Sequence, residues 1–341
     1  MVGLGYWGPN RLRALGDIDG MEVTWVCDRD PERNARVCKR YPGIRATTEI
    51  DEALADPELD AVVIATPVSS HHPLASAALR AGKHVFVEKP LAGSSSEAND
   101  LYEIAAEHER VLICGHTFLY SPPVRLIKEI LDRGELGDLH FISSSRTNLG
   151  QYRSDVSVIF DLGPHDFSIL LYWLGQVPER VSAVGSRVIS KGVQDVAFVD
   201  LVFPDGMIAH VEMSWLAPSK LRRTVIVGSE KMLVYEDGTP EPVRIFDSGI
   251  EFEDTETFGE YQLSYRMGDI VSLRVAPTEP IVAELIDFRD AITKGTEPVS
   301  DKKMSLDVIR IVEAAEASLS GDGLFVPVAG AALPDVAGEL L

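Results

Sequence analysis

The first eight residues read MVGLGYWG, and the spacing Gly3-x-Gly5-x-x-Gly8 within them decides the fold of the first third of the chain. Glycine at these positions permits a tight turn, a close approach of the backbone to a pyrophosphate, and close packing of the following helix. Free N–H groups at the start of that helix can hold phosphates. The motif alone is weak, because glycine-rich turns are common, but it predicts a dinucleotide-binding turn that also contains Tyr6 and Trp7.

Asp28 supports this interpretation, because it lies 20 residues after Gly8 and directly follows residues 22–27, whose pattern predicts a strand. A carboxylate at this position accepts hydrogen bonds from the adenosine ribose and repels a 2′-phosphate, which favours NAD over NADP. The neighbouring Arg29 leaves the use of NADP open, and a simple turn residue at a strand end is the alternative for Asp28. The glycine turn and Asp28 together predict NAD as the cofactor.

Short apolar strands alternate with amphipathic helices up to residue 119, which is the pattern of a parallel sheet built from βαβ units. Strands are predicted at 61–66, 84–87 and 111–114, and helices at 31–41, 73–81 and 94–107. In the last of these helices, Ser94 and Glu97 have the spacing of a capping box. We therefore predict an α/β protein whose first domain, residues 1–119, is a Rossmann domain.

From residue 139 to about residue 235, apolar residues mostly recur at every second position. This period is typical of strands, and one helical segment within 156–174 interrupts it. Two further helices are predicted at 279–294 and 305–319. We expect a second α/β domain with an open, mainly antiparallel sheet over residues 120–328, followed by a tail at 329–341.

The start of the chain departs from this pattern, because only Val2 precedes the glycine turn. A dinucleotide-binding domain needs a central strand that leads into that turn. We expect a stub in place of the first strand, with unpaired edges on its two neighbours. We also expect the natural start to lie further upstream, the alternative being a protein that lacks most of this strand.

Charge and cysteine content narrow the functional class. The chain of 341 residues carries a formal net charge of −21, with 53 acidic residues against 32 basic ones. Such a surface repels nucleic acid and anionic lipid, so we expect neither nucleic-acid binding nor membrane binding. Three scattered cysteines, Cys27, Cys38 and Cys114, fit burial in a reducing compartment better than a disulfide framework, which favours a cytoplasmic protein.

Lys89 is the first candidate for a catalytic residue, since it directly follows the predicted strand 84–87 within Glu88-Lys89-Pro90. Ligands of parallel sheets bind at the carboxyl ends of the strands, so we expect this lysine near the nicotinamide end of the cofactor. A lysine there can polarise a substrate oxygen and take part in proton transfer. A solvated lysine at a strand exit is the alternative.

Asp161 and His165 form a second candidate pair, four residues apart in VIFDLGPHDF, a spacing that places both on one face of a helix. Histidine is suited to accept a hydroxyl proton, and a carboxylate one turn away can orient its ring. A hydrogen-bonded core histidine and an Asp/His metal site are the alternatives, and we predict no metal. Because proline cannot lie deep in a regular helix, we expect a helix start or a kink at Pro164.

Two other histidines follow predicted strands. His71 comes shortly after Thr66 and Pro67 at a strand end, and we place it beside the cofactor. It is followed directly by His72, but adjacent side chains point apart, which argues against a metal pair. His116, after the strand at 111–114, is a weaker candidate for a substrate pocket.

A local basic cluster, Ser219–Arg223, stands out in this acidic protein and contains Lys220 and Arg222. Cations in such a cluster can hold a diphosphate or a carboxylate. A solvated turn is an equally good interpretation.

Four motifs in this order resemble the glucose-fructose oxidoreductase, inositol dehydrogenase and rhizopine-catabolism (Gfo/Idh/MocA) family, from Gly3 to about Val328. The motifs are GLGYWG, Ala65-Thr66-Pro67, AGKHVFVEKPLA and DLGPHD. The resemblance implies a Rossmann domain joined to an α/β domain whose open sheet often mediates oligomers, so we expect a homodimer or homotetramer.

The same resemblance implies that Lys89, Asp161 and His165 are the catalytic residues, and that Glu88 and Thr66 line the cofactor pocket. Within the family, GHTFLYSP, NLGQYRSD, DLGPHD and SWLAPSKLRR look most similar to members that oxidise the 3-hydroxyl of nucleotide-linked amino sugars. This similarity implies a set of substrate-binding residues: His116, Tyr120, Arg153, Lys220 and Arg222, with Lys89, Asp161 and His165.

The sequence therefore predicts an NAD-dependent oxidoreductase that transfers a hydride between nicotinamide and a ring hydroxyl of a sugar or a nucleotide sugar. The alternatives are a dehydrogenase of inositol-like cyclitols, a redox-neutral enzyme that reoxidises its own NADH, and a regulatory protein that binds NAD without catalysis.

Overall fold

Two compact units make up the chain. The computed structural model describes residues 1–150, 152–189, 192–253 and 262–331. The first unit comprises Met1–Ser121 together with Thr278–Arg310, and the second comprises Pro122–Pro277 and the chain from Ile311 onward. The first boundary lies close to the one expected from sequence, but 278–310 returns to the first unit instead of staying in the second.

The first unit contains a parallel sheet covered by helices. Its strands are β1 (Trp25–Cys27), β2 (Arg45–Thr47), β3 (Ala61–Ile64), β4 (His84–Glu88) and β5 (Leu112–Gly115). Its helices are α1 (Gly8–Gly16), α2 (Pro31–Arg40), α3 (Ile50–Leu54), α4 (His71–Arg80), α5 (Ser95–Glu107) and α8 (Pro280–Lys294), with short 3-10 helices at Val68–Ser70 and Thr117–Tyr120. All strand pairs in this sheet, β1 with β2, β3 with β4 and β4 with β5, are parallel, as the Rossmann prediction requires.

Val2 joins the two parts of this sheet, because it forms one parallel bridge to Cys27 and another to Ile64. The N–H of Val2 donates to the carbonyl of Val63 over 2.8 Å, and the N–H of Gly3 donates to the carbonyl of Cys27 over 2.8 Å. The expected stub is thus confirmed, but at Val2 it pairs with both neighbouring strands, so their edges are not unpaired there. Beside it, β1 and β3 border a cavity of about 500 Å³.

Several helix ends follow the capping signals that the sequence carries. The Ser94 hydroxyl accepts the N–H of Glu97 over 3.2 Å, and the Glu97 carboxylate accepts the N–H of Gly93 over 2.9 Å. The first bond confirms Ser94 as the N-cap of α5, whereas the return bond of Glu97 reaches Gly93, one residue before the N-cap. At the other end of the chain, Gly295 ends α8 with φ of 68°, a left-handed conformation that glycine adopts without strain.

The second unit has a nine-stranded sheet. Its strands are β6 (Leu139–Leu149), β7 (Arg180–Ser186), β8 (Val196–Val202), β9 (Ile208–Ser214), β10 (Leu216–Gly228), β11 (Met232–Glu236), β12 (Val243–Glu253), β13 (Gln262–Leu273) and β14 (Val326–Pro327). Their order is β13-β12-β11-β10-β6-β9-β8-β7-β14, and every pair is antiparallel except β6 with β9. The prediction of an open, mainly antiparallel sheet is confirmed, although β12, β13 and β14 were not expected.

Two helices, α6 (Pro122–Asp132) and α7 (Val158–Leu174), belong to the second unit, and α9 (Lys302–Ser320) crosses the boundary at Arg310. A helix start at Pro164 was wrong, because α7 begins six residues earlier and continues through the proline. Ser157 caps the helix by accepting the N–H of Phe160 over 3.1 Å. A proline here removes one helical hydrogen bond, and we attribute the continuity of the helix to its largely buried apolar residues, which pack the helix against the sheet.

The basic cluster also differs from its expected form. Ser219–Arg223 lies within strand β10 rather than in a solvated turn. The register of β10 against β6 shifts between Leu216 and Leu221, so the cluster begins at an irregularity of the strand. The tail at 329–341 lies mostly outside the described residues, which end at 331.

Segment 278–310 returns to the first unit because one face of α8 is apolar. Leu285 and Phe288 are fully buried and pack in one core with Leu12, Phe86 and Ile113, on the glycine-turn helix and the parallel strands. This core forms between residues far apart in sequence, and no local pattern specifies it.

We predict that Leu285→Ala lowers the free energy of unfolding of the first unit by about 2–5 kcal/mol, because the lost methyl groups leave a cavity in a packed core. Leu324→Ala is a matched control, since Leu324 is 72% exposed, and it should change stability by no more than about 0.5 kcal/mol. Urea denaturation measures both. Equal effects of the two substitutions would contradict the core assigned to α8.

Candidate functional site

The glycine turn between Val2 and α1 leaves no room for side chains. Gly3 has φ of +88°, and a Cβ atom built on it would lie 2.4 Å from the carbonyl oxygen of Ala65 and 2.8 Å from a methyl group of Thr66. A Cβ atom on Gly8 would lie 2.4 Å from the carbonyl oxygen of Gly3. The turn therefore packs against the end of β3, and Tyr6 and Trp7 at its tip are exposed.

Asp28, directly after β1, is held against this turn. One of its carboxylate oxygens accepts the N–H of Leu4 over 2.7 Å, and the other accepts the N–H of Asp30 over 2.9 Å. Burial alone would raise the pKa of the Asp28 carboxyl, but these two N–H groups and Arg33 lower it below its usual value. The carboxylate is therefore ionised at neutral pH, at the position expected for a ribose-binding group. Its neighbour Arg29 is exposed.

These features fit a dinucleotide. No side chain projects from Gly3, Gly5 or Gly8, of which Gly5 is the partly exposed one, and α1 begins at Gly8 with its free N–H groups. The turn and Asp28 would hold the pyrophosphate and the adenosine ribose, respectively.

Glu88 and Lys89 follow at the carboxyl end of β4, on the same edge of the sheet as the end of β3. Lys89 is half-buried. Glu88 accepts a hydrogen bond from the guanidinium of Arg11 in α1, so the residue next to the lysine is tied to the glycine-turn helix. Arg11 was not singled out from the sequence, where it is one of two arginines in NRLRAL.

His71 lies at the start of α4 and is only 1% exposed. Its Nε2 is 2.8 Å from the carbonyl oxygen of Thr66, and its Nδ1 is 2.8 Å from the carbonyl oxygen of Pro90. Burial lowers the pKa of His71. Because both ring nitrogens face backbone carbonyls, His71 braces the turn that carries Lys89 against the end of β3, a structural role that the sequence did not indicate.

His116 and Tyr120 are also buried in the first unit. The Nδ1 of His116 is 2.8 Å from the Ser300 hydroxyl, and burial, together with the charge of Lys89, lowers the pKa of His116 to about 3. The Tyr120 hydroxyl donates to Asp287 over 2.7 Å, and burial raises its pKa. His116 is therefore neutral over the physiological range.

In the second unit, Asp161 and His165 lie one turn apart on α7, and both are half-buried. The indole N–H of Trp215 donates to the Asp161 carboxylate over 3.2 Å, and a nitrogen of Arg153 lies 3.8 Å from the same group. Asp166, on the buried side of the helix, forms an ion pair with Arg146 instead. The helix thus presents Asp161 and His165 on one face, as their spacing predicted, and Trp215 is a functional candidate that the sequence did not reveal.

Two of the cations expected to bind substrate, Arg153 and Arg222, form ion pairs with acidic residues of the same chain. Arg153 donates to Asp155 through two nitrogens, over 3.0 and 2.8 Å. Arg222 donates to Asp237 over 2.7 Å. Lys220 is exposed on the irregular part of β10.

Neither a metal cluster nor a membrane span is found in the described part of the chain. No group of three histidine, cysteine or acidic side chains is arranged to hold a metal ion. None of the described helices has the length and apolarity needed to cross a bilayer. Cys27 and Cys114 are buried, as expected, whereas Cys38 is only partly buried, and all three are free thiols.

Comparison with known proteins agrees with this geometry. The profile of the Gfo/Idh/MocA oxidoreductase family, described as an NAD-binding Rossmann fold, matches residues 1–116. The profile of a Gfo/Idh/MocA C-terminal domain matches residues 124–234.

Individual relatives share less than a third of their aligned residues with this chain. The 4-carboxy-2-hydroxymuconate-6-semialdehyde dehydrogenase of Sphingobium sp. is 26% identical, over 95% of this chain and 99% of that protein. The UDP-N-acetylglucosamine 3-dehydrogenase of Acidithiobacillus ferrooxidans is 29% identical over 68% of this chain and 71% of its own length. Among solved structures, GenD2 from gentamicin A biosynthesis in complex with NAD aligns with a TM-score of 0.80 and 26% identity, covering 96% of this chain and 94% of that one.

The glycine turn with its bracing carboxylate, the two-unit architecture and both profiles lead to one conclusion: this chain belongs to the Gfo/Idh/MocA family of NAD-binding oxidoreductases.

Proposed function

We propose that this protein transfers a hydride between NAD and the ring carbinol carbon of a sugar or a nucleotide sugar, with Lys89, Asp161 and His165 as its catalytic residues. The observation that carries the proposal is the pairing of Asp161 and His165 on one face of α7, in a chain whose first unit presents Lys89 beside a dinucleotide turn. The similarity to UDP-N-acetylglucosamine 3-dehydrogenase supports the substrate class.

NAD, when bound, supplies the hydride acceptor. The residues of the chain would accept the hydroxyl proton and orient the substrate. The imidazole of His165 would take the hydroxyl proton, because histidine exchanges protons near neutral pH. The ammonium of Lys89 would donate a hydrogen bond to the same oxygen and polarise it. Asp161, itself held by the indole of Trp215, would fix the orientation of the sugar and of the imidazole.

A second candidate substrate is a neutral cyclitol or free sugar. The ion pairs Arg153–Asp155 and Arg222–Asp237 neutralise two cations that a nucleotide diphosphate would need. With a net charge of −21, the remaining field disfavours an anionic ligand.

Two further expectations remain proposals. Self-association into a homodimer or homotetramer is supported by apolar side chains exposed on the sheet of the second unit, among them Phe141, Val184 and Ile208. A cytoplasmic location is supported by three free thiols.

A substrate screen tests the proposed reaction. Purified protein with NAD should form NADH, followed by its absorbance, with at least one member of a panel of free sugars, cyclitols and UDP-sugars. Comparing each UDP-sugar with the corresponding free sugar separates the two substrate classes. Binding of NADH without turnover of any member would contradict the proposed reaction and favour a sensing role.

Lys89→Met and His165→Ala should each lower kcat by about 10²–10⁴-fold, because each removes one proton-handling group. Their Kd for NADH should stay within about twofold of wild type, since the glycine turn and Asp28 are unchanged. Steady-state kinetics and fluorescence titration measure the two quantities. Near-normal turnover in both variants would remove these residues from the mechanism.

Asp28→Asn should weaken the preference for NAD over NADP by about tenfold or more, because it removes a negative charge next to the 2′ position while an amide oxygen can still accept the N–H of Leu4. The ratio of kcat/KM for the two cofactors reports this change. Asp30→Asn is the matched control, because asparagine also caps α2, and it should leave the ratio unchanged. A ratio that does not respond to Asp28→Asn would place the ribose elsewhere.

A further inference from the structure

A buried ionic cluster lies beneath the lysine-bearing edge of the first unit. Arg11 is 1% exposed, and its Nη1 donates to the Glu284 carboxylate over 2.6 Å. Its Nη2 donates to the Thr117 hydroxyl over 3.1 Å, and its Nε donates to Glu88. The guanidinium also lies 4.7 Å from the centre of the Phe86 ring. One cation is therefore shared between two carboxylates that come from different elements.

This arrangement costs more folding free energy than a purely structural contact needs to cost. Burying charged groups costs several kcal/mol each, and apolar residues of similar volume often give equal or higher stability. Glu284 is fully buried, and among the described residues its Oε1 has no hydrogen-bond partner. Its other oxygen accepts from Arg11 and from Thr117. Helix α8 thus places a carboxylate in the core where an apolar side chain would serve packing better.

The position of the cluster indicates what it controls. Arg11 lies on α1, one turn after the glycine turn, and Glu88 is the last residue of β4, adjacent to Lys89. Glu284 comes from α8, 273 positions after Arg11 in sequence. The cluster therefore connects the helix that would hold the pyrophosphate to the strand end that carries the lysine.

We infer that Glu284 and Arg11 are positioning residues, which fix the Glu88 carboxylate and through it the turn that presents Lys89 to the substrate. This inference rests on the proposed function, because it assigns the cluster a role in the hydride-transfer reaction. Neither residue touches the reacting atoms.

The ionisation of Glu284 provides a specific signature. Burial raises the pKa of Glu284 to about 7, and the charge of Arg11, shared with Glu88, offsets this only in part. Cys114 on β5 and Tyr120 also interact with Glu284, but burial raises the pKa of both, so they stay neutral below pH 8.5. Asp287, also on α8, is hydrogen-bonded to Tyr120. Glu284 is therefore largely neutral at pH 6 and largely ionised at pH 8.5.

Glu284→Gln imitates the neutral form and keeps an oxygen for Arg11 and Thr117. At pH 6 its kcat should lie within about twofold of wild type. At pH 8.5 its kcat should be about tenfold lower, because the neutral amide holds the Nη1 side of Arg11 less firmly than the carboxylate, so that Arg11 and the Glu88 bound to it can shift, and misplaced catalytic groups cost rate steeply. A role in stability alone predicts the same ratio of kcat values at both pH values.

Glu279→Gln is the matched control. The ion pair between Arg13 and Glu279 joins the same two helices, α1 and α8, but both partners are exposed. Its loss should leave kcat unchanged at both pH values. Thr117→Val provides a second probe, which removes a hydroxyl from the cluster without changing any charge, and it should lower kcat without raising the Kd for NADH more than about twofold.

The experiment compares wild type, Glu284→Gln, Thr117→Val, Glu279→Gln and Lys89→Met by kcat at pH 6 and 8.5, by NADH titration, and by urea denaturation. A pH-dependent loss in Glu284→Gln, with normal kcat in Glu279→Gln, supports the inference. If Glu284→Gln does not fold, a lower kcat in folded Thr117→Val supports it and an unchanged kcat overturns it. A ratio of kcat values for Glu284→Gln to wild type that is equal at both pH values overturns the inference while leaving the proposed function intact. If Lys89→Met turns over normally, the proposed function fails instead, together with the inference that depends on it.

Discussion

The close contact between the glycine turn and the end of β3 is the constraint on which the first unit depends. A Cβ atom at Gly3 would overlap the carbonyl oxygen of Ala65, and one at Gly8 would overlap the carbonyl oxygen of Gly3. Because glycine has no Cβ atom, the turn can pack this closely against the sheet. The N–H of Leu4 then reaches the Asp28 carboxylate. The shape of the glycine turn, the contact of the Asp28 carboxylate with that turn and the start of α1 thus depend on one tight packing contact.

A second feature of the first unit is that its lysine-bearing edge is braced from three sides. The two ring nitrogens of His71 each lie 2.8 Å from a carbonyl oxygen, of Pro90 and of Thr66, and Arg11 binds Glu88. Helix α8 adds Glu284 after the chain has formed strands β6 to β13 of the second unit. In the second unit, Asp161 and His165 are presented by a helix that packs on β6, β8 and β9. A helix therefore carries two of the proposed catalytic groups, and a turn held by these contacts carries the third, in keeping with the precise placement that catalysis requires.

Local signals in the sequence were sufficient for much of this architecture. The glycine spacing, the position of Asp28, the N-cap at Ser94 and the i, i+4 pair on α7 are short-range patterns, and the structure contains all of them. Long-range pairing had no such signal. The return of α8, the parallel pairing of β6 with β9 and the contact between Arg11 and Glu284 all join residues distant in the chain. The helix does not start at Pro164, which we attribute to tertiary packing that outweighs a local penalty.

Hydride transfer from a ring carbon is the central claim of this account, and an isotope experiment tests it most directly. A sugar substrate that carries deuterium on its ring carbinol carbons would be incubated with the protein and NAD, and the reduced cofactor would be analysed by mass spectrometry. The account predicts one deuterium atom in the nicotinamide ring of the NADH that forms. Unlabelled NADH, with the deuterium lost to solvent, would contradict direct hydride transfer.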